Sequence, residues 1–101
     1  MHFMIAWGSP DPAAPLKPDE HQKIETALKG YDFMRVFPGA GVLTVADNDE
    51  RLAVEQKVVA AIKQGLQGRV QVLISPLMGP GQFYRGFLPK SFWERLNARS
   101  S

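Results

Sequence analysis

The side chains able to move protons or hold ions are few and scattered along this chain. Ser9, Asp11 and His21 are the types of a nucleophile, an orienting carboxylate and a general base. Their context argues against a triad. Ser9 stands in Gly8-Ser9-Pro10-Asp11-Pro12, not in the G-x-S-x-G turn that lifts a nucleophile above a sheet. Prolines around Ser9 and Asp11 mark both as turn residues. His2 and His21 lack a third imidazole and an H-x-x-x-H spacing, so a shared metal is not expected. Asp47-Asn48-Asp49-Glu50 offers oxygen ligands of the kind Mg²⁺ or Ca²⁺ takes, but the glycine and glutamate of an EF-hand loop are missing. Asp47 with Glu50 three residues on is a capping box, and helix capping accounts for the cluster in full. No catalytic residue, metal ligand or cofactor is therefore expected.

The chemistry that remains is adhesive. Gln82-Phe83-Tyr84-Arg85-Gly86-Phe87, followed by Lys90, Trp93, Arg95 and Arg99, interleaves aromatic and basic residues. Stacking combined with phosphate attraction is how single-stranded nucleic acid is held. Phe83, Tyr84, Arg85, Trp93 and Arg95 are the binding residues this pattern selects. Arg85-Gly86-Phe87-Leu88 is only a fragment of an RRM signature. The plainer role for these aromatics is to cover apolar sheet surface while the cations stay wet. Gly79-Pro80-Gly81 and Gly86 do not form a phosphate cradle: the G-x-x-x-x-G-K-[ST] pattern is absent and the prolines remove N–H donors.

These residues must be positioned by a small scaffold. A chain of 101 residues, 45% hydrophobic and 22% charged, has a single-domain length and an ordinary globular composition. The absence of cysteine excludes disulfides and thiolate chemistry. No signal peptide or membrane-spanning run is legible, so a cytoplasmic location is expected. The net charge of +2 is uninformative, but its distribution is uneven. Residues 1–68 carry seven Lys/Arg against nine Asp/Glu; residues 69–101 carry five against Glu94 alone. A basic end on a mildly acidic body suits an anionic partner.

Residues 2–7 read as a strand with Phe3, Ile5 and Trp7 on one side and His2, Met4 and Ala6 on the other. Four prolines from Pro10 to Pro18 enforce an extended loop. Pro18-Asp19-Glu20 opens a helix with Ile24, Ala27, Leu28 and Tyr31 on its buried face, and Gly30 stops it. Phe33–Phe37 and Val42–Ala46 read as an antiparallel hairpin around Pro38-Gly39-Ala40-Gly41, with Phe33, Arg35 and Phe37 sharing a face. Asp47 begins a second helix whose apolar stripe is Leu52, Val59, Ile62 and Leu66, with Val58 beside it. Arg69–Ser75 is a fourth strand. The expected fold is α+β: a two-layer ferredoxin-like βαββαβ sandwich with an antiparallel four-stranded sheet, strands one and four adjacent in its centre and both helices on one face. Residues 1–75 form this core. Residues 76–101 form a C-terminal extension with a short helix over about 92–98, opened by Ser91-Phe92-Trp93-Glu94.

Two helices cover one face of such a sheet. The strands nonetheless leave apolar groups on both sides, so the second face requires a cover. The extension or a second copy of the chain can supply it, and a homodimer through the sheet face or the extension is expected. Element order and length resemble several families of small ferredoxin-like dimers, among them the CRISPR adaptation endonuclease-like group and the dimeric α/β-barrel group. In the first of these a carboxylate ends the leading strand and can bind a metal. Here that strand ends in Ala6-Trp7-Gly8-Ser9, and Asp11 lies two residues farther between prolines. The resemblance thus implies an architecture and a dimer, with a metal-dependent nuclease relative as the alternative to a plain interaction domain.

Overall fold

The computed structural model describes residues 1–78 together with Lys90, Ser91 and Glu94. Its first element, β1 (His2–Gly8), alternates as its sequence demands. Phe3, Ile5 and Trp7 are buried, while Met4 is exposed on the opposite side. After the proline-rich loop, α1 (Pro18–Ala27) begins with proline in its first turn and two carboxylates at its N-terminal end, which complements the helix dipole. It ends at Leu28, and Gly30 turns the chain out at φ +90. Strands β2 (Asp32–Phe37) and β3 (Ala40–Thr44) follow, then α2 (Asn48–Lys63) and β4 (Gln71–Ile74). The domain is α+β, with two helices and a four-stranded antiparallel sheet.

The strand order is β2-β3-β1-β4, which differs from the expected placement of strands one and four in the centre. Strands β1 and β4 are neighbours, but β4 is an edge strand. The reason is in the connections. Each strand–helix–strand crossover spans one strand width beyond its nearest neighbour, and the tight β2–β3 hairpin folds β3 back into the gap beside β1. The centre therefore belongs to β1 and β3.

Both helices contribute to one core. Ile24 and Leu28 from the α1 side and Val54 and Val58 from α2 meet Phe3, Ile5, Trp7, Leu43 and Val45. The buried face of α2 differs from the expected stripe: Val54 and Val58 are fully buried, whereas Leu52 and Val59 are exposed. This helix carries apolar residues around most of its circumference, so spacing alone does not select one face. Leu66 is buried beyond the helix end, as expected.

The β2–β3 hairpin corrects a second expectation. Its turn is two residues, Pro38-Gly39, because Phe37 pairs with Ala40. A β-bulge between Arg35 and Phe37 inserts Val36 into β2. Two residues of β2 then oppose one of β3, and alternation is broken locally. Arg35 pairs with Gly41 and reaches Glu25 on α1 at 3.1 Å, on the helix side. Phe37 leaves that face. Gly39 takes φ +86, which favours glycine, and its carbonyl accepts the Trp7 backbone N–H at 2.7 Å.

Candidate interaction surface

The polar residues at the C-terminal end of β1 are all engaged with one another. Ser9 Oγ accepts the Asp11 N–H at 3.1 Å, and Asp11 Oδ1 accepts the Ala13 N–H at 2.9 Å. They shape the turn, as their proline neighbours implied. His21 does not join them. Its Nδ1 accepts the Trp7 indole N–H at 3.1 Å, so the neutral ring carries its proton on Nε2. His2 is buried at the other end of β1, roughly 17 Å away by strand rise. Burial, with the neighbouring N-terminal charge, lowers its pKa below the ordinary imidazole value. Among the described residues no three His, Asp or Glu side chains group as metal ligands.

Asp47 caps α2, but the expected capping box is only half formed, because Glu50 reaches the residue before the cap. Asp47 Oδ1 accepts the Glu50 N–H at 2.9 Å, and Glu50 Oε2 accepts the Ala46 N–H at 3.0 Å. The Asp47 carboxylate satisfies a first-turn N–H of α2, and that of Glu50 fixes the chain entering it. Arg35 pairs with Glu25, and Lys57 sits 5.1 Å from the centroid of the Tyr31 ring.

One strong polar contact was not legible in the sequence. Glu20 receives a bidentate pair from Arg69 Nε and Nη2, both at 3.0 Å, while Oε1 also accepts the Lys17 N–H at 2.9 Å. The contact ties the start of α1 to Arg69, two residues before β4. Glu20 is only 8% exposed. The Arg69 hydrogen bonds, then that of Lys17, push its pKa down to about 2 against the opposing effect of burial. A depressed folded-state pKa stabilises the fold above the ordinary carboxylate value and loses that effect as pH falls toward the folded one. Glu20→Gln is therefore expected to be less stable than the parent at neutral pH and to converge with it as pH approaches 2. Chemical denaturation across pH 2–7 reads the difference; two parallel curves would refute the role. The signal available in advance was a glutamate three residues after Lys17, at a capping-box position; the partner 49 residues away had no local mark.

With the polar groups spent internally, the feature left open is apolar. The register sets out rows across the sheet face opposite the helices. Asp32, Thr44 and His2 form one row, and Met34, Val42 and Met4 form the next. Phe37, Ala40, Ala6 and Leu73 form a third that crosses all four strands. The rows are unequally covered. Met34 and Val42 are buried at 2% and 5% exposure, but Met4 is 42%, Phe37 58% and Leu73 75% exposed. A shallow groove lined by Ala6, Gly8, Gln71 and Leu73 runs along the β1–β4 seam. Phe37 joined this surface only through the bulge, which the sequence did not reveal.

The residues selected from the aromatic-basic pattern, Phe83, Tyr84, Arg85, Trp93 and Arg95, lie outside the described residues, as does most of the expected helix over 92–98. Lys90, Ser91 and Glu94 are helical, with Lys90 Nζ 3.9 Å from Glu94. Among the described residues no helix is long and apolar enough to cross a membrane. The chain matches no protein-family model, and no curated protein is similar to it.

Proposed function

We propose that this chain is a ferredoxin-like, homodimeric interaction domain that works by surface contact and not by catalysis. The βαββαβ element order and the interleaved sheet support the fold reading. The functional reading is carried by one observation: the row Phe37–Ala40–Ala6–Leu73, with large apolar ends open to solvent, on the face that neither helix covers. Exposed apolar surface of this kind marks contact sites more often than it marks reactive ones.

The expected result is concentration-dependent self-association in sedimentation velocity. Leu73→Asp places a charge in the row without touching the buried core. It should weaken association by at least about tenfold, since desolvating an unpaired charge costs more than the ~1.4 kcal/mol that a factor of ten represents. Because Leu73 is exposed, the same variant should keep its folding stability within about 0.5 kcal/mol. A parent chain that remains monomeric to high concentration would defeat the reading.

The excess of basic residues from Arg69 onward supports an anionic strand as the alternative partner. Oligonucleotide binding that falls steeply with salt, by a chain that stays monomeric, would favour that alternative.

A further inference from the structure

Two rows of the face opposite the helices hold buried side chains that neither helix covers. Met34 is 2% exposed, yet β2 is an edge strand with a neighbour on one side only. Side chains stand up from a sheet, so a single lateral neighbour does not enclose a methionine. Phe37, on the same strand and the same face, shows an open position: it is 58% exposed. Val42 and His2 are buried in the rows of Met34 and Asp32, and neither Met34 nor Val42 belongs to the cluster that the helices cover. A layer of chain over these two rows, stopping short of Phe37 and Leu73, accounts for the contrast.

The path of the backbone says which chain. Beyond β4 it runs on beside β1 as far as Met78, whose N–H donates to the His2 carbonyl at 2.8 Å and whose carbonyl accepts the His2 N–H at 3.1 Å. The chain therefore continues from the corner of the buried rows. Met34 lies three strand spacings away and one row along, roughly 16 Å in all. At about 3.3–3.6 Å per residue, five residues span that distance. Phe83 is the fifth after Met78, and Tyr84 follows it. Charge agrees with this path. Asp32 is the one carboxylate in the three rows and is engaged, while residues 79–101 carry Arg85, Lys90, Arg95 and Arg99 against Glu94.

We infer that the chain's own segment after Met78 crosses the sheet toward β2 and lays Phe83 and Tyr84 over Val42 and Met34. The aromatics replace a third helix as the cover of this half of the face, and their cationic neighbours stay in water. The row from Phe37 to Leu73 is left for a partner. The inference does not rest on self-association, and a chain that proves monomeric leaves it standing.

The absence of cysteine gives a clean background for thiol labelling in the full chain. The labelling rate of Met34→Cys is measured with and without Phe83→Ser and Tyr84→Ser, and Val42→Cys, a change of little volume, carries the same measurement if Met34→Cys does not fold. Val54→Cys, fully buried on α2, reports general unfolding. The serine substitutions should raise labelling at position 34 or 42 by about tenfold and leave Val54→Cys slow. No change at the sheet position, or an equal rise at Val54→Cys, overturns the inference. A second measurement identifies whose segment it is. Met4→Cys combined with Gln82→Cys, treated with a short bis-maleimide, should link within one chain at a yield independent of protein concentration. Linked dimers as the main product would assign the cover to a second copy and overturn the inference.

Discussion

Gly41→Ala should cost about 2–3 kcal/mol of folding stability, far more than one methyl group usually does, because the space is already taken. A Cβ at this position would meet the Phe33 ring and the Met34 carbonyl oxygen. Gly41 lies in β3, paired on one side to Arg35 and on the other to Ile5. Phe33 is its diagonal neighbour on β2 and leans across the bare backbone, packing also against Trp7 with ring centroids 6.1 Å apart. An aromatic ring over a strand glycine restores the contact surface that the glycine lacks. The obstacle is therefore half side chain and half backbone. Phe33→Leu combined with Gly41→Ala should recover part of the loss, since the ring can be shortened and the carbonyl cannot. Urea denaturation of the two single variants and the double variant gives the coupling energy. Strict additivity would show that the ring is not what excludes the methyl.

Phe3→Ala is expected to be the more damaging change, at about 3–5 kcal/mol. Phe3 is fully buried, pairs with Leu43 and belongs to the core that both helices share. A loss of that size is comparable to the whole stability of many small domains. The variant should show a much lower denaturation midpoint or no cooperative transition. A loss under ~1 kcal/mol would mean that the cluster collapses around the missing ring. The contrast with Leu73→Asp separates the two faces of one sheet: a change on the helix face is expected to act on folding, and one on the opposite face on the proposed self-association.

How much of this was legible follows from which interactions are local. The elements were readable because their signals are adjacent in sequence. The alternation of Phe3, Ile5 and Trp7, the Pro18 start, the Gly30 stop and the Asp47–Glu50 cap each involve residues within a few positions of one another. The buried face of α2 was misjudged because Leu52, Val54, Val58 and Val59 are chemically equivalent and only the sheet beneath them chooses. The central position of β3 depends on how two crossovers interleave, which no single segment encodes. The Glu20–Arg69 pair joins residues 49 positions apart. The open row depends on register, and register there depends on one extra residue in β2. The sequence did point to an uncovered second face, but not to the particular side chains that remain open on it.

That extra residue, Val36, has a bearing on whether the edge of the sheet can pair with another chain. β2 is an edge strand, and a straight edge is a template for another chain's backbone, one copy after another without end. A bulge bends and twists such an edge out of true. With this margin spoiled as a template, backbone pairing along β2 is disfavoured, while β4, the other edge, pairs with β1 in unbroken register. Deleting Val36 would straighten β2 and favour growth along that edge.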